Sequence, residues 1–232
     1  MPPLFIHSSG LGPRQWSSTL RLLGGSAPAL PGYSSPWDSS QQCSWRTDVA
    51  EIAELLTPET DLVGHSYGGF LALQLARTHQ VRSVAVWEPV AFGVIDTPFS
   101  SEDIAALADP AVPLEAWLAA FLEFWQQDWS QMSAMQRAPF LANGAKVRAE
   151  VVALMADRTP LTAYEAIASP ILMVSGEHTV WQTTAICRAF AANLPQASHE
   201  IVSECAHMGP ITCREAWHDL LRTFWSTLPA SK

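Results

Sequence analysis

The stretch Gly64-His65-Ser66-Tyr67-Gly68 is where residue type and spacing point to chemistry. A serine stands between glycines two residues before and two after it. A short apolar run, Leu62-Val63, leads in, and a helix-forming run, Phe70 to Arg77, follows. That pattern reads as strand, sharp turn and helix, the setting of a nucleophile elbow. A serine at such a turn is expected at positive φ, and the glycines remove the Cβ atoms that would collide as strand and helix close on each other. The turn lifts Ser66 Oγ clear of the sheet edge and brings the Tyr67 backbone N–H to where an oxyanion would form. The matching chemistry is nucleophilic attack on an acyl carbonyl. Free serine is a weak nucleophile, so a base must lie within hydrogen-bond reach.

Alternating elements position this turn. Pro3 to His7 reads as a strand entering the small-residue loop His7-Ser8-Ser9-Gly10-Leu11-Gly12. A short helix is expected over 16–23, a weak strand over 27–30, and a helix over 48–56 that Thr57-Pro58 ends. Val81 to Trp87 is rich in β-branched residues and reads as a strand buried on both faces, closed by Glu88-Pro89. From about 92 to 168 no strand pattern appears. Prolines at 98, 110, 113, 139 and 160 separate segments of helical periodicity at 101–109, 113–129, 146–157 and 161–168. The alternation returns with a strand over 170–176, a helix over 183–194, a strand over 198–202, the loop 203–210 and a last helix over 212–227. The expected fold class is α/β: a doubly wound, mostly parallel sheet with helices on both faces. Residues 1–91 and 169–232 form the core, and 92–168 form an inserted all-helical unit.

Composition narrows the function classes. The chain has 232 residues, 48% of them hydrophobic, which suits one core of good size. Lys plus Arg number 13 against 22 Asp plus Glu, a net charge of -9 without a basic run, so no nucleic-acid partner is expected. No apolar stretch approaches the ~20 residues that span a bilayer, and the N-terminus has no secretory pattern, so no membrane partner is expected. Cys43, Cys187, Cys205 and Cys213 form no CxxC pair and read as reduced thiols of a cytoplasmic protein. No dense His/acid grouping suggests a metal. The expectation is a monomer or homodimer acting on a small-molecule substrate, with no cofactor.

Three landmarks together resemble the α/β-hydrolase family: His7-Ser8-Ser9-Gly10, Gly64-His65-Ser66-Tyr67-Gly68 and Ala206-His207-Met208-Gly209-Pro210. Their order matches, and the resemblance covers essentially the whole chain. The family opens with a two-strand hairpin that this chain lacks, which implies about six core strands, and 92–168 corresponds to a helical cap. The resemblance makes His207 the base that serves Ser66 and makes the Ser9 N–H, with that of Tyr67, an oxyanion-hole donor. Glycine often stands in the family where Ser8 stands here.

The acid is open. The family usually places an aspartate three residues past the glycine ending the next-to-last strand, and here that place holds Thr179. Threonine accepts a hydrogen bond from imidazole but cannot offset an imidazolium. Some family members carry their acid where Glu88 stands, one strand spacing of ~4.8 Å from the elbow. Glu177 is the alternative acid, and absence of any acid is the third possibility. For the substrate pocket the candidates are Trp125 in the cap, Trp87 and Trp181 at strand ends, and Met208 beside His207. The cap stripe Trp117, Phe121, Phe124, Trp125 and Trp129 reads first as packing between cap and core. The resemblance implies a serine hydrolase, carboxylesterase-like, cleaving a small, mainly apolar ester or related acyl compound through an acyl-enzyme. The alternatives are a carbon–carbon bond hydrolase of ring-cleavage products and a non-catalytic ligand-binding protein.

Overall fold

The computed structural model describes residues 2–34, 37, 43–96 and 99–229. Among these, strands β1 (Leu4–Ile6), β2 (Asp61–His65), β3 (Ser83–Trp87), β4 (Ile171–Gly176) and β5 (Ala197–Val202) form one sheet in the order β1-β2-β3-β4-β5. Every neighbouring pair is parallel. Side chains alternate across a strand, and here both faces are covered, so the central strands are apolar at successive positions. Ile6, Leu62, Val84, Val86, Ile171 and Met173 enter one core. Phe5, Val63, Ala85, Trp87, Leu172 and Val174 enter a second.

Helices α1 (Ser17–Leu23) and α9 (Arg214–Thr227) touch each other beside the second core, to which Trp217 and Leu221 contribute. Helices α2 (Trp45–Ala53), α3 (Tyr67–Ala76) and α7 (Trp181–Asn193) serve the first. Between β3 and β4 the chain runs through α4 (Ser101–Ala108), α5 (Leu114–Phe124) and α6 (Ala134–Met155). Buried side chains of α5 and α6 extend the first core, and Ile104 and Leu107 of α4, partly buried, pack against it. A short helix, α8 (Gly209–Thr212), precedes α9. No helix of the described residues is long and apolar enough to cross a membrane.

Three expectations change. The weak strand over 27–30 does not form; a single bridge joins Leu4 to Ser26 just before it, and the sheet among the described residues has five strands. Pro28 and Pro31 lack the N–H groups a ladder needs. Pro139 does not separate two segments but lies inside α6. A capping box, in which Ser133 and Gln136 satisfy each other's backbone N–H groups, fixes the first turn ahead of the proline. Finally, Cys205 and Cys213 form a disulfide, with Cα atoms 6.3 Å apart. The reading of four reduced thiols is thereby corrected, and with it the argument from cysteine usage for the cytoplasm. Cys43 and Cys187 remain free.

Candidate active site

Ser66 joins β2 to α3 at φ 54° and ψ -117°, a conformation rarely adopted by residues other than glycine. Close packing imposes it. A Cβ on Gly64 would stand 2.3 Å from the Gly68 carbonyl oxygen, and one on Gly68 would stand 2.2 Å from that of Ile6. The Ser66 N–H donates to the Trp87 carbonyl (2.9 Å), tying the turn to the end of β3.

Glu88 follows directly, also at positive φ (45°) and fully buried. Its Oε1 accepts the Gly176 N–H at 2.8 Å. Its Oε2 accepts the Thr179 hydroxyl at 2.6 Å and His207 Nδ1 at 2.7 Å. Nδ1 carries the proton of that bond, so Nε2 is the basic nitrogen. Thr179 therefore stands beside a carboxylate rather than in place of one. Glu177, the rival, accepts the Glu204 N–H at the surface (3.1 Å).

His207 is held from further sides. Its loop lies within the Cys205–Cys213 disulfide, and the Cys205 carbonyl accepts the His178 N–H (2.8 Å). His65 Nε2 donates to the His207 carbonyl (2.8 Å), and its Nδ1 accepts from Gln15 Nε2 (2.8 Å). Gln15 Oε1 in turn accepts the Ser8 N–H at 2.9 Å. A chain of hydrogen bonds thus links the loop after β1 to the loop of His207. Burial, then the neighbouring His207, holds the His65 imidazole well below the usual histidine range, consistent with its neutral, two-bonded form. Residues 8 and 10 have their N–H groups taken, by Gln15 and by the Tyr33 hydroxyl (2.8 Å). No hydrogen bond among the described residues takes up that of Ser9.

A cavity of about 480 Å³ opens over these groups, with Ser9, Ser66 and Tyr67 in its wall. Much of the remaining lining is apolar. Trp117, Phe121, Phe124 and Trp125 come from α5 and its C-cap, and Leu154 and Met155 from the end of α6. Of the four expected pocket residues, Trp125 lines it. Trp87 points into the second core, its ring edge-on to Trp217 at 5.6 Å. Trp181 is 58% exposed at the start of α7, and Met208 caps α8; neither lines the cavity. Ligand-type side chains gather at the surface, where Glu177, His178 and Glu204 come within 4.8 Å of one another, all exposed and none in the cavity wall.

The model of a family described as "Alpha/beta hydrolase family" matches residues 4–220. The chain belongs to the alpha/beta hydrolase family. As a member it is a hydrolase by class. No curated protein matches it by sequence. Among solved structures, this hydrolase is similar to Est816, described as an N-acyl homoserine lactone degrading enzyme, with 20% identity over 97% of this chain and 93% of the other, and TM-score 0.75. It is similar to the enol-lactonase from Burkholderia xenovorans LB400, with 18% identity, 97% and 92% coverage, and TM-score 0.75. It also resembles a thermophilic esterase from Thermogutta terrifontis, with 19% identity, 97% and 89% coverage, and TM-score 0.74. At these identities the likeness is one of fold.

The hydrolase also buries a polar cluster that sequence reasoning missed. Lys146 of α6 meets both carboxylate oxygens of Asp48 of α2 at 3.2 Å and Glu150 at 3.7 Å. Asp48 accepts the Tyr67 hydroxyl (2.5 Å), and Glu150 accepts the Tyr33 hydroxyl (3.0 Å). Burial pushes the Glu150 carboxyl up to about 8, against the opposing pull of Lys146 and of hydrogen bonds from Ser9 and Tyr33. From the ordinary 4.5 up to about 8, the folded state keeps a proton that the unfolded chain has lost. Stability from this group is therefore complete below 4.5 and declines as pH rises to about 8. Thermal melts across that window are expected to fall more steeply for the wild type than for Glu150→Gln, and equal slopes would contradict the assignment.

Proposed function

We propose that this hydrolase is a serine hydrolase that cleaves a small, mainly apolar ester or related acyl compound, cyclic esters included, through an acyl-enzyme. Ser66 Oγ attacks the acyl carbonyl while His207 Nε2 takes its proton. The N–H groups of Ser9 and Tyr67 hold the oxyanion, each donor worth about 3–4 kcal/mol of barrier. His207 returns the proton to the leaving alkoxide, then takes one from water, which attacks the acyl-enzyme and frees the acid. Glu88 orients His207 and offsets the charge it gains. The reading is carried by the His207–Glu88 hydrogen bond of 2.7 Å one residue beyond the strand end that holds the strained Ser66. It also weighs against a non-catalytic reading, since a buried carboxylate bonds both His207 and Thr179, the residue at the expected place of the aspartate. The apolar cavity supports an acyl group without charge, and the lactone and ester names of the structural neighbours fit the same chemistry.

The test is a panel of nitrophenyl esters of rising acyl length. Turnover is expected, with kcat/KM climbing until the chain fills the cavity and then falling. Rates no higher than those of Ser66→Ala on every member would overturn the proposal.

A further inference from the structure

The helical cap supplies a ring to the candidate base itself. The indole of Trp125 lies 3.7 Å, centroid to centroid, from the imidazole of His207, with the planes 15° apart. Both side chains are buried. The end of α5 fixes this placement. Gln126 turns left-handed (φ 60°), its N–H donates to the Glu123 carbonyl (2.8 Å), and the Gln127 N–H donates to that of Leu122 (2.9 Å). These are the two bonds of a Schellman motif, made here without the usual glycine. Phe124 braces the indole edge-on at 4.8 Å.

A face contact leaves both nitrogens of His207 free for in-plane bonds, Nδ1 to Glu88 and Nε2 to its reacting partner. We infer that Trp125 is a catalytic residue whose π face stabilises the imidazolium that forms when the Ser66 proton moves to His207 Nε2. The inference rests on the serine hydrolase reading. An aromatic face favours a cation over it, most strongly where water is excluded. Among the described contacts, the titratable groups facing His207 are Glu88 from the end of β3 and His65 from the end of β2, whose ring is 4.9 Å away and tilted by 47°. His65 is neutral, so Glu88 and Trp125 alone favour the charged ring.

A ring that merely packs would act oppositely. Its removal admits water, which favours the imidazolium and moves the acidic limb of the kcat/KM profile to higher pH. Loss of a stabilising π face moves that limb to lower pH. Trp125→Leu is expected to lower the midpoint by about one pH unit and kcat about tenfold, with Trp125→Phe roughly half-way. NMR titration of the His207 ring in the wild type and the two variants reads the same midpoint without turnover, so it remains decisive if the hydrolase reading fails. A midpoint that falls in the order wild type, Phe, Leu supports the inference. A midpoint that is unchanged or rises in either variant overturns it. Should the leucine variant not fold, the phenylalanine variant decides.

Discussion

Glu88→Ala is expected to lower kcat for ester hydrolysis by about 10³–10⁴, and Glu177→Ala by less than tenfold. The first removes the carboxylate bonded to His207 Nδ1, and the second removes a surface acceptor of the Glu204 N–H. Glu88 also satisfies the Gly176 N–H and the Thr179 hydroxyl, so Glu88→Gln serves as the variant that keeps the shape. It should lose activity to a similar degree, because a neutral amide cannot offset an imidazolium. A rescue separates chemistry from folding. The Thr179 hydroxyl lies 2.6 Å from Glu88 Oε2, so a carboxylate introduced at 179 reaches almost the same point. Glu88→Ala combined with Thr179→Asp is expected to regain at least tenfold over Glu88→Ala alone. Steady-state kinetics on one nitrophenyl ester check all four variants. Should the two single alanine variants rank in reverse, the acid assignment fails.

Ser66→Ala and His207→Ala are each expected to cost about 10⁵–10⁶ in kcat, and the double variant no more than either single one. The residues act as a unit: without the base the hydroxyl is inert, and without the hydroxyl the base has no proton to take. KM should change little, since most of the cavity proposed for the acyl group is walled by residues other than Ser66 and His207. Losses that multiply in the double variant would mean that the two side chains serve separate steps.

The elbow was legible because its constraints are local. Two glycines at fixed spacing, an apolar lead-in and a helix-forming sequel require the turn whatever the rest of the chain does. His207 followed from chain order and family resemblance. Glu88 was legible only in part. Strand adjacency puts it near the elbow, but its hydrogen bond to His207, where Glu177 bonds the Glu204 N–H instead, follows from the position of the His207 loop. That loop depends on a disulfide between residues with no recognisable spacing, and on a hydrogen bond from His65, a residue with no pattern of its own. Trp87 shows a different limit. Its place at a strand end suggested the pocket, yet alternation along β3 puts it on the face opposite Val86, in the second core. Lys146 and Glu150 carry the spacing of an exposed ion pair on a helix, and only tertiary packing reveals that α6 buries them against α2 and the first loop. In sequence the aromatic stripe reads first as packing. In the structure Trp117 and Trp125 belong both to the first core and to the cavity wall, while Trp129 only packs against that core.

The central claim is that Ser66 is a chemically activated hydroxyl. Its most direct test is treatment with a fluorophosphonate followed by intact-mass and peptide mapping. One adduct per chain is expected, on Ser66, formed rapidly by the wild type, far more slowly by His207→Ala and not at all by Ser66→Ala. A folded wild-type protein that stays unlabelled, or labels as fast as Ser66→Ala, would contradict it.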